Sequence, residues 1–400
     1  MGNVPSQTVI CKYLDLLGLS KHQFPIFDRG RKLTFAKAVI LYIDAILNKR
    51  PDLESISQAL RSSKEMQQAI GLERISASQM VRTLGELPRE LLEAIWLNLH
   101  ERVQQCYPQR GVAGLGKLIA VDSSSLSLAK HAGKWAYCSK LGNGVKFHTK
   151  VVVEDDITYA DGFICSTRAV ADSEVALELV VDQDAIHILD RGYIVYSHYK
   201  HWKDQGIRFV ARIQKRNKTK ILGTREVDSK SLVLCDADVI VSYKDEQGEL
   251  VEVTLRLVEY TDEKGRLYRV LTNVWDLTAA QICEVYRLRW RIELFFKWMK
   301  QHLSLVHLYS SKPEAVWNLI YLAFIAHGLV MLLRKEAETH HTLWSFLKLM
   351  RLYMHQTWGQ FLDELHRPPS KKSVGRKKKG KVGRPRQNPK QETSVKQVLN

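Results

Sequence analysis

The spacing of apolar residues divides the chain into a helical part and a mixed part. Within residues 1–105, short segments at 53–60, 66–70 and 78–87 repeat apolar residues at helical spacing. Gly71 and Ser76 mark the end of one segment and the start of the next, as such residues do at helix boundaries. The pattern predicts a helical N-terminal domain, which suits a helix-turn-helix reader of DNA and a plain helical subdomain equally well.

Between residues 117 and 213, short apolar runs stop abruptly at acidic residues. One run at 118–121 ends at Asp122, and a second run at 185–189 ends at Asp190. Such runs are typical of buried strands that deliver a side chain to the edge of a sheet. Further predicted elements are strands at 149–153 and 207–213 and a helix at 173–181. This order predicts an α/β fold.

The next segment, about residues 216–275, is rich in β-branched residues. Its runs LVLCDADVIVSY, LVEVTLRLVEY and LYRVLTNVW are separated by the turn-like sequences DEQGE and DEKGR. Glycine-containing turns between such runs are typical of antiparallel hairpins. We therefore predict a β-rich subdomain that is inserted into a catalytic domain at 117–310.

An apolar run at 315–333 approaches the length that spans a bilayer. It contains Asn318 and His327, and it is better interpreted as the buried last helix of a soluble domain. It belongs to a C-terminal helical part of the core, expected at 311–366. The N-terminus lacks the basic-then-apolar order of a signal peptide, and we expect no membrane partner.

The composition adds a strong positive charge. The formal net charge is +17, and an acidic polymer is the natural partner of such a chain. Eleven lysines and arginines and no acid lie within residues 367–390, so we predict a disordered basic tail at 367–400. Arg384 and Arg386 lie in a sequence that resembles an AT-hook core, although general attraction to phosphate explains the same charges. Six cysteines without a CxxC pair indicate a reducing cytoplasm.

The segment VYRLRWRIELFFKWMKQHL places charged residues at helical spacing. On a single helix, at about 100° per residue, one stripe would hold Tyr286, Arg289, Glu293 and Lys300, with Lys297 beside them. A carboxylate flanked by cations suits a site that holds metal ions next to phosphate. Ordinary ion pairs on a surface helix explain the same spacing, so the rest of the chain has to decide between the two.

Asp122, Asp190 and Glu293 form the candidate catalytic set. Two of them leave separate apolar strands, and the third comes from a helix far downstream. Three carboxylates at a sheet edge can hold two Mg²⁺ ions roughly 3.5–4 Å apart, and such a pair supports phosphoryl transfer without a protein nucleophile. Asp155 and Asp156 are rival metal ligands, but an acidic turn explains them better.

These residues resemble the motifs of the insertion-sequence-4 family of DDE transposases, which have an RNase H-like catalytic core. The resemblance is carried by AVDSSSLSL around Asp122, by ILDRGY around Asp190, and by the signature Tyr286, Arg289, Glu293 and Lys300. RFVARIQK at 208–215 resembles the family's strand after the second acid, and the β-rich stretch resembles the insertion before its glutamate. The similarity extends over about residues 29–358.

The resemblance implies roles for individual residues. Asp122, Asp190 and Glu293 would be the ligands of two Mg²⁺ ions, for which Mn²⁺ could substitute. Further residues would bind DNA: Tyr286, Arg289 and Lys300 near the cleaved end, with Lys297, Arg384 and Arg386 as additional candidates.

The resemblance also implies a cut-and-paste reaction. Hydrolysis at the end of the element frees a 3′-hydroxyl, which attacks the opposite strand to give a hairpin. The hairpin is reopened before the end is joined to target DNA. The implied partners are the terminal inverted repeats, the target DNA and a second copy of the chain in a synaptic dimer. The expected location is the bacterial cytoplasm, in association with the nucleoid.

Two other functions remain open. One is an RNase H-like nuclease that cuts without joining, and the other is a transposase-derived DNA-binding protein that is catalytically silent. The presence of all three acids counts against the silent protein.

Several side chains are left with two roles each. Trp275, Trp290 and Trp298 suit base stacking or core packing, with packing favoured for Trp298. Lys146 and His148 suit phosphate contact or solvated positions equally.

Overall fold

A computed structural model of the chain describes residues 7–19, 25–108, 110–131, 133–138, 142–155, 157–228, 231–303, 305 and 308–368. The chain divides into two compact units, Met1–Leu365 and His366–Asn400. All helices and strands given below belong to the first unit. The predictions for Arg384 and Arg386, and for the order of the tail beyond residue 368, lie outside the described residues.

Short helices form the N-terminal part of the first unit. They are α1 (Val9–Leu17), α2 (Pro25–Asp28), α3 (Phe35–Leu47), α4 (Leu53–Ser62), α5 (Lys64–Ile70), α6 (Ala77–Glu86) and α7 (Arg89–Cys106). Ser63 and Ser76 cap α5 and α6, since their hydroxyls accept hydrogen bonds from backbone N–H groups in the first turn. Gly71 ends α5 at a φ of 67°, a left-handed conformation that glycine adopts easily. The three helices predicted at 53–60, 66–70 and 78–87 are confirmed.

The described residues of the middle part contain one nine-stranded sheet. Its strands are β1 (Leu118–Ser127), β2 (Gly144–Val153), β3 (Thr158–Thr167), β4 (Ile186–Leu189), β5 (Arg208–Arg212), β6 (Lys220–Thr224), β7 (Val233–Lys244), β8 (Leu250–Thr261) and β9 (Leu267–Thr272). Two helices lie between strands, α8 (Ala176–Leu179) and α9 (Tyr196–Asp204). The predicted α/β fold is confirmed.

The order of the strands is β3-β2-β1-β4-β5-β9-β8-β7-β6. β1, β4 and β5 are parallel, and the other neighbours are antiparallel. The predicted hairpins of the β-rich stretch are therefore present. They do not form a sheet of their own, however, because β9 pairs with β5 and continues the central sheet.

The strand that carries Asp122 is longer than its apolar run indicates. β1 continues past Asp122 to Ser127, because β2 still pairs with it along that length. The parallel pairing with β4, in contrast, stops at Val121 and Leu189. Asp122 is therefore not the end of a strand, as the sequence indicated, but the point at which one of its two neighbours ends.

The C-terminal part of the first unit is helical. Its helices are α10 (Ala279–Arg287), α11 (Trp290–His302), α12 (Pro313–Glu336), α13 (Leu343–Leu352) and α14 (Trp358–Leu365). The prediction of one continuous helix through residues 286–300 is wrong. The N–H groups of Arg289 and Ile292 bond three residues back, to Tyr286 and Arg289, so a tighter turn separates α10 from α11 at this point.

Helix α12 is the apolar run of the sequence, and it is the central helix of the core. It is long and apolar enough to cross a membrane, but 83% of its most apolar window is buried within the protein. Asn318 Nδ2 donates to the carbonyls of Leu84 and Leu87 at 2.8 and 2.9 Å, and His327 packs between the rings of Phe295 and Trp298. Its polar residues thus have protein partners, as in a core helix. It is not the last helix, since α13 and α14 follow it.

Two apolar cores lie on the two faces of the sheet. The larger joins the N-terminal helices and α12 to one face, where Ala120 and Ile188 point. The smaller covers the other face, where Val121 and Leu189 pack against Trp202 of α9. Because side chains alternate along a strand, Asp122 and Asp190 lie on the α12 face.

Candidate active site

Asp122 and Asp190 lie next to each other where the parallel pairing of β1 and β4 ends. Each follows the last paired residue of the β1–β4 ladder. In each, Oδ1 accepts a hydrogen bond from the following backbone N–H, that of Ser123 at 2.7 Å and that of Arg191 at 2.5 Å. These bonds fix both carboxylates against the backbone that carries them.

Glu293 is joined to this pair by Arg289. The guanidinium donates from Nη1 to Asp122 Oδ2 at 3.0 Å and from Nη2 to Glu293 Oε1. Arg289 lies in the turn between α10 and α11, and α11 packs against β1. The structure therefore brings the three predicted acids together around one arginine.

The acids of this site lie in a partly buried place, close to other acids, and both effects change their pKa values. Burial raises the pKa of Asp122 to about 6, and the neighbouring Asp190 and Asp172 add to the rise against the opposing effect of Arg289. Burial alone would lower the pKa of Arg289, but the surrounding acids and Tyr286 raise it above its ordinary value. The arginine therefore stays protonated and compensates part of the acid charge.

The donor set suits a hard divalent cation, because carboxylate oxygens are the ligands that Mg²⁺ and Mn²⁺ prefer. A raised pKa at Asp122 is also the mark of a site where a cation would relieve repulsion. Within the described ranges, no group of three or more His, Cys, Asp or Glu side chains is already arranged for a metal ion. Asp122 and Glu293 are instead both paired with Arg289, whose guanidinium lies between them.

The other residues of the predicted stripe differ in exposure. Tyr286 is buried at 3% exposure beneath Arg289, with its ring centroid 5.9 Å from the guanidinium, and burial raises its pKa to about 12. Lys297 is exposed on α11. Lys300 is half-buried, and burial together with the nearby Arg168 lowers its pKa. Only the two lysines and the edge of Arg289 are therefore open to a ligand.

A fourth acid, Asp172, lies close to the site and was not predicted from the sequence. It starts a short 3₁₀ turn, Asp172–Val175, and binds Lys146 and His148 of β2. In the sequence it looks like an ordinary residue before a helix, and only its polar partners on β2 set it apart.

Lys146 and His148 are neither solvated nor directed at a ligand. Lys146 Nζ donates to Asp172 Oδ1 at 3.0 Å and to the carbonyl of Val170 at 2.7 Å. His148 is fully buried, and its Nε2 lies 2.7 Å from Ser166 Oγ. The interpretation as solvated positions is therefore wrong, because the partners of both residues are internal.

The structure also places the rival acids and the three tryptophans for which the sequence left two roles open. Asp155 follows β2 at the end that pairs with the start of β1, so it lies at the opposite edge of the sheet from Asp122; Asp156 is outside the described residues. Trp298 packs against His302 and His327, as favoured, whereas Trp290 is 58% exposed and Trp275 is 43% exposed. Trp275 also donates to Asp238 at 3.1 Å.

Comparison with known proteins shows which family the chain is similar to. The family model described as "Transposase DDE domain" matches residues 114–329, a range that includes Asp122, Asp190 and Glu293. A Geobacillus stearothermophilus protein, named as a transposase for insertion sequence element IS5377, is 25% identical over 82% of this chain and 84% of its own length. A Sinorhizobium fredii protein, named as transposase y4zB, is 27% identical over 54% of this chain and 61% of its own. A Synechocystis protein, named as a transposase for element IS4SA, is 23% identical over 43% and 48%.

Proposed function

Because the chain belongs to the transposase DDE domain family and is a DDE transposase of an insertion sequence, we propose that it cleaves the ends of its element and joins them to target DNA. The observation that carries the proposal is the convergence of Asp122 and Glu293 on Arg289, with Asp190 next to Asp122. Residues almost 170 positions apart in the chain meet at a single point.

The proposed catalytic core is RNase H-like. The strand order β3-β2-β1-β4-β5, with β1, β4 and β5 parallel and β2 and β3 antiparallel, supports it. In this arrangement the first two acids follow the last paired residues of the parallel β1–β4 ladder, on the side where open α/β sheets bind their ligands.

Asp122, Asp190 and Glu293 would hold two Mg²⁺ ions, or Mn²⁺ in their place. When bound, such a pair activates the attacking water or hydroxyl and stabilises the leaving oxygen of the phosphate. The backbone N–H groups of Ser123 and Arg191 keep the two aspartates oriented, so little reordering is needed on this side of the site.

Arg289, Lys297 and Lys300 would bind the DNA phosphates. The guanidinium of Arg289 already pairs with carboxylates, and phosphate oxygens are equivalent partners for it. Tyr286 is buried, so we assign it the packing of Arg289 rather than a direct contact with DNA.

The N-terminal helices would bind further DNA. Two adjoining grooves meet at the start of α6, and both include Ser76 and Gln79. Their lining carries more cations than acids. Glu86 and Glu54 pair with Arg31 and Arg61, and the other basic residues of the lining are Arg29, Lys32, Arg74 and Arg82. A surface of this charge suits a DNA backbone, in agreement with a DNA-binding domain at 1–105. A synaptic dimer on the terminal inverted repeats and a cut-and-paste route through a hairpin follow from the family resemblance.

The decisive experiment is cleavage of a labelled duplex that carries the DNA ends flanking the gene, in the presence of Mg²⁺. We expect the native protein to cut at the element boundary and Glu293→Gln to lose at least about a hundredfold in rate. Glu284→Gln, on exposed α10 surface and paired with Arg287, is the matched control and should cut normally.

The products distinguish the alternatives. A hairpin and a joined target product would support the transposase, and cutting without joining would favour a nuclease. Tight binding of the ends without cutting by any variant would favour the catalytically silent DNA-binding protein.

A further inference from the structure

A polar cluster lies on the face of the sheet opposite the three acids. Asp172 is at its centre, with Oδ1 at 3.0 Å from Lys146 Nζ and 3.2 Å from His148 Nδ1. The side chain of Ser123 lies close enough to the same carboxylate to lower its pKa. Val121 and Leu189 on the same face belong to its apolar core. A buried ionic group is poor evidence of stabilisation by itself, which leaves its presence here to be explained.

Asp172 contacts the chain directly beside both catalytic aspartates. Ser123 follows Asp122 on β1, and alternation along the strand turns its side chain to the opposite face. Gly192 lies two residues after Asp190, and a Cβ built on it would come within 3.0 Å of Asp172 Oδ2. One carboxylate therefore lies beside both of the segments that carry the proposed metal ligands.

Its own position is fixed by charge. Burial would raise the pKa of Asp172, but hydrogen bonds from His148, Ser123 and Lys146 lower it to about 2. The group is thus ionised at any working pH. Lys146 and His148 both come from β2, whose residues pair with β1 across the Asp122 segment, so the cluster ties three pieces of chain together.

We propose that Asp172, held by Lys146 and His148, is a positioning residue, which sets the distance between Asp122 and Asp190 by packing beside Ser123 and against Gly192. It binds neither substrate nor cation itself. The proposal rests on the proposed function in that the two aspartates are taken as cation ligands. It adds a residue on the opposite face of the sheet to the three acids already identified.

Cation binding to the full chain without DNA gives the first test, with Mn²⁺ and isothermal titration calorimetry. Residues that orient metal ligands typically change affinity about 10–100-fold when replaced, so Asp172→Asn should weaken Mn²⁺ binding by at least about tenfold. Ser123→Ala changes only the contact of Asp172 with β1, and it should weaken Mn²⁺ binding by about three- to fivefold. This smaller substitution is included because it disturbs the fold less.

Asp161→Asn is the matched control. Asp161 likewise pairs with a lysine and a histidine, Lys150 at 3.1 Å and His100 at 3.4 Å, and these pairs hold its pKa well below the usual range. In the described chain it has no hydrogen bond to Ser123 or Gly192. Its replacement should leave Mn²⁺ affinity within about twofold, even if thermal stability falls as much as in Asp172→Asn.

End cleavage gives the second test. Positioning predicts that Asp172→Asn lowers kcat about 10–100-fold, leaves KM for the DNA within about twofold, and recovers in part at high Mn²⁺. Equal losses in the Asp161 and Asp172 variants, or native Mn²⁺ affinity in both Asp172→Asn and Ser123→Ala, would overturn it. Failure of the native protein to bind Mn²⁺ would overturn it together with the proposed function, whereas native binding with selective loss in the variants supports it whether or not the protein cuts DNA.

Discussion

Arg289 is the residue on which the charge balance of the site depends. Its guanidinium spans Asp122 and Glu293, and all three side chains are largely shielded from water, at 14%, 20% and 33% exposure. An arginine in this position takes the place of part of the charge that a divalent cation would bring. The sequence showed that it could pair with Glu293 at i,i+4, but not that it also reaches Asp122.

Removing that arginine should destabilise the cation-free protein. Arg289→Ala leaves two carboxylates unpaired, and we expect a loss of about 1–3 kcal/mol in the free energy of unfolding in EDTA. Mg²⁺ should raise the melting temperature more in the variant than in the native protein, as measured by differential scanning fluorimetry. Arg287→Ala, which breaks an exposed pair with Glu284, should change little in either buffer, and an identical response of both variants would contradict the assignment.

The raised pKa of Asp122 predicts a dependence of stability on pH. Between the ordinary carboxyl pKa of 3.8 and about 6, the folded protein holds a proton at Asp122 that the unfolded chain has released. Folding stability should therefore fall as the pH rises through this window, in the absence of divalent cations. Urea unfolding of native protein and Asp122→Asn at pH 4 and pH 7 measures this. Relative to the native protein, Asp122→Asn should be more stable at pH 7 than it is at pH 4. The opposite change would contradict the raised pKa of Asp122.

At the scale of elements, the β5–β6 loop at residues 213–219 is held rigid next to the site. Arg269 of β9 donates from Nη1 to the carbonyls of Gln214, Lys215 and Asn217. β5 is parallel to β1 and β4, so the loop leaves the sheet at the edge where the aspartates stand. Its cations, Lys215, Arg216 and Lys218, are exposed.

This loop should contribute to binding of the DNA backbone. Each phosphate contact steepens the fall of log K with log salt by about 0.9 in duplex DNA. Replacing Lys215, Arg216 and Lys218 by alanine should therefore reduce the magnitude of the slope by about 2–3, as measured by fluorescence anisotropy on end DNA. Lys244→Ala, an exposed cation at the opposite edge of the sheet, is the control and should leave the slope unchanged. Equal slopes for all three proteins would exclude the loop from the DNA interface.

At the scale of the whole molecule, charge and folded structure are separable. The first compact unit ends at Leu365, whereas eleven basic residues lie between 367 and 390. Truncation after Pro368 should keep the melting temperature of the full chain within about 2 °C, since no described contact of the core is lost. The same truncation should weaken binding to random DNA at least about tenfold at low salt and less at high salt. A large drop in melting temperature would show that the tail supports the fold.

Local pattern was sufficient for many of the elements and for selecting the three acids as candidates. Alternation and apolar runs located α4, α5, α6 and most strands, because burial of a face imposes a period on the residues that form it. Asp122 and Asp190 were recognisable since an acid directly after a buried run marks the end of a strand pairing. Glu293 was recognisable from helical spacing to Arg289.

Other features depended on contacts that no local pattern records. Asp172 meets Ser123 and Lys146, and Arg289 meets Asp122, only because strands and helices from distant parts of the chain pack together. The pairing of β9 with β5 makes the sheet continuous. The turn before α11 lies where Arg289 bonds to Asp122 of β1. The sequence by itself thus determined which residue types stand on which face of each element. Only the tertiary structure decided which faces meet, because that choice depends on the packing energy of the whole unit rather than on the spacing within one segment.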